Sequence, residues 1–186
     1  MRFLKSAVVS LIVLGLSVSA VTAGTGTGEK QEKKPAVDTT VINWLPYDTA
    51  LTVLETENKH LFIDFTASWC GWCKRMDKDT FSDKKVIKTV NEHFIPVRVW
   101  GDSDNMLDIN GYKISERNLA QAQFGVRGYP AFWFISPEGA RIGPLPGYQT
   151  PDALIKALDW VKDYMYDTTR VKNEVEDKED TGKSGE

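Results

Sequence analysis

Leu61-Phe62-Ile63-Asp64-Phe65-Thr66-Ala67-Ser68-Trp69-Cys70-Gly71-Trp72-Cys73-Lys74-Arg75 contains both cysteines of the chain. Residues 61–66 are apolar on both faces except at Asp64, the pattern of a central, buried strand. A turn follows, and a helix opens at Cys70. Two cysteines placed at random fall three apart in about one arrangement in a hundred, so the spacing has a cause. At a helix start, the first thiol sits among unpaired backbone N–H groups at the positive end of the helix dipole. That position lowers a thiol pKa from ~8.5 toward ~7 or below, which makes Cys70 the nucleophile. Cys73 lies one turn on, on the same face, where it can close a disulfide with Cys70 and act as the resolving thiol. Lys74 and Arg75 add positive charge nearby.

Composition and export bear on that reading. A chain of 186 residues suffices for one domain with a core. A net charge of −3 gives no electrostatic case for nucleic acid or an anionic membrane surface. Arg2 and Lys5 precede an apolar run ending in small residues at Ala20 or Ala23, so residues 1–23 read as a cleaved signal peptide. An uncleaved anchor to the inner membrane, facing the periplasm, is the alternative, but the run is short for a span of about 20 residues. Cleavage removes Arg2 and Lys5 and leaves 21 basic against 26 acidic residues. Exported proteins usually carry cysteines as structural frameworks. One pair closing a tiny loop contributes little chain-entropy stabilisation, so a reactive role is the better account of it.

Outward from the motif, its helix runs to about Asp79, with Cys73, Met76 and Asp77 as neighbours at helical spacing. Ser82 is placed as the cap of the next helix, whose buried side is Val86, Ile87 and Val90. Residues 95–100 form a strand with Pro96 at its start. Residues 101–115 read as a long polar loop with room for a hairpin at Asn110-Gly111. Its acids lack the terminal Glu and flanking helices of a calcium loop. Ser115 opens a helix through Leu119, Ala122 and Phe124 that Gly125 stops. Residues 131–136 and 140–145 pair as a hairpin about Pro137-Glu138-Gly139. Thr150-Pro151 starts a last helix with Leu154, Ile155, Leu158, Trp160 and Val161 toward the core. Upstream of the motif, Asp48 is placed as the cap of a helix bearing Leu51, Val53 and Leu54. Residues 24–40 read as a disordered linker, residues 41–166 as the folded domain, and residues 167–186 as a disordered tail with seven acids and four bases.

Asp64-Phe65-Thr66-Ala67-Ser68-Trp69-Cys70-Gly71-Trp72-Cys73-Lys74 resembles the active-site stretch of thioredoxin-fold proteins, and the order of elements agrees. The resemblance implies an α/β thioredoxin fold, a central mixed sheet flanked by helices with a C-terminal hairpin and helix. It implies a thiol–disulfide oxidoreductase that needs no cofactor beyond the redox-active Cys70–Cys73 disulfide. In that family a buried acid six residues before the first cysteine serves the second one, which casts Asp64 as proton acceptor for Cys73. A cis-proline facing the C-x-x-C corresponds to Pro130, with the Tyr129 backbone pairing an extended substrate. Arg98 lies near the place of a buried lysine in cytosolic thioredoxins, where a permanent charge changes how Asp64 titrates. Trp69 is placed as a wall of the site, and Gly71 and Trp72 as substrate-facing.

Phe81-Ser82-Asp83 resembles the periplasmic reductase domains of the DsbD type, fed by membrane electron transporters. The stretch around residues 100–102, together with Ser115-Glu116, Phe124-Gly125-Val126-Arg127-Gly128-Tyr129-Pro130 and Pro146-Gly147-Tyr148-Gln149, looks like the SoxW-like thioredoxins of sulfur-oxidation systems. These resemblances imply a periplasmic, monomeric reductase acting on disulfide-bearing exported proteins, with a membrane thiol electron donor. No histidine stands between the cysteines to stabilise a thiolate, so the pair is expected to be moderately reducing. A dithiol oxidase is the alternative. A metal-binding module finds no support in the spacing of His60 and His93, and Lys74 stands where haem attachment needs histidine. A non-catalytic binder does not account for an intact C-x-x-C.

Overall fold

Strand β1 (His60–Thr66) is buried at every position, which requires protein on both faces and both edges. A computed structural model, which describes residues 38–169, places it second in a four-stranded sheet of order β2-β1-β5-β6. The expected signal peptide, most of the expected linker and the tail beyond residue 169 lie outside the described residues. Strand β2 (Phe94–Trp100) runs parallel to β1, and β5 (Ala131–Ile135) runs antiparallel to it. Strand β6 (Arg141–Pro146) pairs antiparallel with β5. The mixed sheet, with a strand–helix–strand half before a hairpin half, is the expected α/β thioredoxin fold.

Side-chain alternation along β1 divides the core into two layers. Leu61, Ile63 and Phe65 pack with Tyr47 and Ala50 of helix α1 (Tyr47–Leu54) and with Leu119, Ala120 and Phe124. Phe62 points the other way, to Met76 of α2 (Gly71–Asp79), Val86 and Val90 of α3 (Lys84–His93), and Leu154 and Leu158 of α5 (Pro151–Lys162). Fully burying side chains of this size contributes about 1.5–3 kcal/mol each before entropy is counted. Asp64 shares the parity of Phe62, so its carboxyl enters the layer that carries α2.

Several local expectations are corrected. The residue before α1 is Pro46, which has no side-chain acceptor; Asp48 sits inside the first turn and instead accepts the Asp108 N–H at 3.1 Å. Asp83, not Ser82, caps α3 by accepting from Lys85 and Val86, while the Ser82 hydroxyl donates to the Lys78 carbonyl at the end of α2. Pro96 lies inside β2 rather than at its start. Its carbonyl accepts from Leu45 N–H, so its missing donor faces the outer edge of the sheet.

Residues 101–115 are mostly ordered as a hairpin, β3 (Met106–Ile109) with β4 (Tyr112–Ser115). Positive φ at Asn110 (53°) and Gly111 (86°) makes its turn. Helix α4 (Glu116–Asn118) widens into a π turn over Leu119–Gln123, closed by Phe124 N–H to Leu119 C=O at 3.1 Å. Within the wide turn Ala120 is buried and Ala122 is exposed. On α5, Trp160 is 47% exposed because the core stripe is Leu154, Ile155, Leu158 and Val161.

Candidate active site

Cys70 is the cap of α2. Its backbone is extended, its N–H donates to the Ala67 carbonyl at 3.0 Å, and its Sγ accepts the Cys73 N–H at 3.0 Å. The strand-to-helix turn therefore aims one free donor of the helix's first turn, the Cys73 N–H, at the sulfur. In the dithiol form the same N–H favours thiolate on Cys70. The two cysteines are joined as a disulfide, with Cα atoms 5.3 Å apart. Each residue is 4% exposed, so in this oxidised state neither cysteine is the more accessible.

The pair packs with Ala67 and the side of the Tyr129 ring. Both tryptophans stand in solvent. Trp69 is 69% exposed with its edge against Tyr129, and Trp72 is 56% exposed against Tyr148. Trp69 was expected as a wall and Trp72 as the open ring. With the turn projecting from the sheet, no element stands behind Trp69 to cover it. Gly71 begins α2 with open space where a Cβ would point.

Asp64 is 2% exposed, and its Oδ2 accepts from Arg98 Nε at 2.9 Å. The β1–β2 register pairs these two residues directly. Arg98 donates through a second nitrogen to Asp77 on α2 at 2.7 Å. Its guanidinium lies 4.4 Å from the Trp44 ring centroid and 5.5 Å from that of Phe81. Burial pushes the Asp64 carboxyl up to about 6; Arg98 pulls it down, and the negative charge of Asp77 raises it again. A carboxylate near that value is a usable proton acceptor at neutral pH.

The Tyr129–Pro130 peptide bond is cis. Pro130 is buried, and its carbonyl accepts the Gly147 N–H at 2.9 Å. Beside this bond runs a groove of about 420 Å³ lined by Gly128, Tyr129, Pro130, Trp133 and Pro144 among others. The polar stretch after β2 adds residues that sequence reasoning did not single out. Asp102 accepts from both the backbone N–H and the hydroxyl of Ser68, and Tyr129 Oη donates to the Gly101 carbonyl at 3.2 Å. Arg117 holds the same loop by donating to the Asp102 carbonyl at 2.9 Å. Their signal was a run of short polar residues beside a strand end, which does not by itself reveal a partner.

Cys70, Cys73, Trp69 and Tyr129 thus converge at the C-terminal end of β1, with Asp64 further down the same strand. Among the described residues no cluster of three His, Cys, Asp or Glu side chains is arranged to hold a metal, and no helix is long and apolar enough to cross a membrane.

Residues 47–162 match the family model for a thioredoxin-like domain. The chain belongs to the thioredoxin-like family. Both cysteines of its C-x-x-C lie within the matched residues and are bonded to each other. It is 33% identical over 107 residues to the thiol:disulfide interchange protein DsbD of Campylobacter jejuni, covering 57% of this chain and 17% of that protein. It is 27% identical over 128 residues to the uncharacterized protein B0495.5 of Caenorhabditis elegans, covering 66% of this chain and 16% of that one. The matched part thus spans about a sixth of the length of these relatives. Among solved structures, a thioredoxin from Thermus thermophilus shares the fold at a TM-score of 0.55 and 22% identity, covering 65% of this chain and 87% of that one. A DsbH oxidoreductase does so at 0.55 and 21%, covering 74% and 95%.

Proposed function

We propose that the protein is an exported reductase of protein disulfides. The observation that carries this reading is the Cys70 sulfur receiving the Cys73 N–H at the start of α2, on a strand that buries Asp64. In the reduced protein the Cys70 thiolate attacks one sulfur of a substrate disulfide. A mixed disulfide forms and the first substrate thiolate leaves. Cys73 then gives its proton to the Asp64 carboxylate and attacks Cys70 Sγ. The Cys70–Cys73 disulfide forms, the second substrate thiolate leaves, and two electrons have passed to the substrate.

Trp69, Gly71 and Trp72 offer an open face for an extended polypeptide, and the Tyr129 backbone beside Pro130 supplies hydrogen bonds along it. A dithiol of a membrane electron donor returns the pair to the reduced state. The likeness to a thiol:disulfide interchange protein supports thiol–disulfide exchange as the reaction. The apolar N-terminal run supports a periplasmic address. The protein works as a monomer and needs no cofactor beyond the cysteine pair.

The test is a Cys73→Ser variant exported in its native host. Exported disulfide proteins are expected to accumulate as mixed disulfides on Cys70. Recovery of a dedicated membrane oxidase instead, with no disulfide substrates, overturns the reductase reading.

A further inference from the structure

Arg98 is shared between two carboxylates, and that sharing sets what Asp64 can do. Nε serves Asp64 at 2.9 Å while a terminal nitrogen serves Asp77 at 2.7 Å. The Trp44 and Phe81 rings lie against the guanidinium, and only 18% of its side chain is exposed, so it is held between the two acids. One fixed positive charge thus faces two negative ones, the first buried and the second 47% exposed on α2. An arginine cannot give up its proton, so no proton passes through it. Its effect on Asp64 is electrostatic.

A buried carboxylate paired with an undivided guanidinium is held ionised and becomes a poor base. Asp77 divides that pairing. It sits four residues after Cys73, one turn along the same face of the helix that carries the resolving thiol. We infer that Asp77 is a positioning residue for substrate release: by competing for Arg98 it keeps the Asp64 carboxylate able to take the Cys73 proton. This rests on the reading of Asp64 as proton acceptor.

The charged groups whose fields reach Asp64 are Arg98 from β2 and Asp77 from α2, with the same signs as this account requires. From β5, the register partner of Asp64 is the uncharged Phe132. On α2 itself, Arg75 is paired with Asp79 at 3.0 Å. The Cys73 thiol, which Asp64 is read to serve, does not titrate in the oxidised protein.

The test uses the full chain and the variants Asp77→Asn, Asp77→Glu and Asp64→Asn. Carboxyl carbon NMR of the oxidised protein gives the Asp64 midpoint without interference from thiols. Single-turnover reaction of the reduced protein with dithiobis(nitrobenzoate) gives the two steps separately, since each releases one coloured thiolate. Asp77→Asn is expected to lower the Asp64 midpoint by ~0.5–1 unit. The acid limb of the second release should move down with it, the first release should stay in place, and Asp77→Glu should restore both. A merely structural Asp77 changes stability and leaves the midpoint and the limb where they were, which overturns the proposal. Asp64→Asn separates the two readings. If it flattens the acid limb while Asp77→Asn moves nothing, only the role of Asp77 falls. If it leaves the second release unchanged at every pH, the proton-acceptor reading falls and this inference falls with it.

Discussion

The Tyr129 phenol fills the space that a side chain at Gly101 would need. Its hydroxyl donates to the Gly101 carbonyl at 3.2 Å, while the Gly101 N–H is fixed to Thr66 C=O at 2.8 Å. A Cβ on Gly101 would collide with the hydroxyl and the ring. Because the same ring packs on the cysteine pair, Gly101 bears on the site from outside it. Gly101→Ala is therefore expected to destabilise by ~1–3 kcal/mol, the usual cost of overpacking. In a Tyr129→Ala background the same change should cost far less, giving a coupling of more than about 1 kcal/mol. Urea denaturation of the four proteins measures it. Additive effects would show that Tyr129 and Gly101 do not constrain each other.

Asp102 ties the turn before Cys70 to the end of β2 through both donors of Ser68. The Ser68 hydroxyl holds the Asp102 carboxyl below the usual carboxylate value of 3.8. Because the folded value is depressed, this contribution is present above 3.8 and is lost as pH falls through the folded value. Asp102 is half-buried and its carboxylate still meets solvent, so the effect on global stability is small. Ser68→Ala should raise the Asp102 midpoint toward its ordinary value, followed by NMR titration. An unmoved midpoint would mean that the Ser68 hydroxyl does not hold the carboxylate.

The strand–turn–helix around the cysteines was legible because one segment carries three agreeing signals: an unbroken apolar run, a cap position and the cysteine spacing. Asp64 was legible as the single acid in that run. What stayed hidden depends on contacts between segments far apart in the chain. Ser68 and Asp102 are 34 residues apart, and nothing local marks them as partners. The π turn after Asn118 was missed because a 3.6-residue period assumes a regular helix. The exposure of Trp69 was missed because hydrophobicity predicts burial only where another element is available to cover it. The caps were misassigned by one or two residues, the usual reach of local signals.

The residues between the cysteines bear on the redox potential. Gly71 and Trp72 carry no charge to stabilise the Cys70 thiolate, so the dithiol form is less favoured than in a strong oxidant. Equilibration with thiol buffers is expected to give roughly −200 to −270 mV. Trp72→His places a cationic side chain beside Cys70 and should raise the value. A wild-type potential near −120 mV, the range of a strong oxidant, would contradict the reductase direction.

Asp64 links the site to the pH dependence of folding. Its carboxyl is raised from 3.8 to about 6, chiefly by burial, so between those values the unfolded chain gives up its proton first. Stability from this group is then fully present below 3.8 and is lost as pH rises through about 6. A shift of that size corresponds to about 3 kcal/mol at neutral pH. Asn at this position removes the buried charge, and Arg98 retains Asp77 as its partner. Asp64→Asn is accordingly expected to be more stable than wild type by ~1–3 kcal/mol near neutral pH, with the difference vanishing toward about pH 4. Denaturant titrations at both ends of that range decide it. Equal stability at both, or a variant weaker only at neutral pH, would mean that the Arg98 pairing outweighs the burial of the charge and that Asp64 is held ionised well below neutrality.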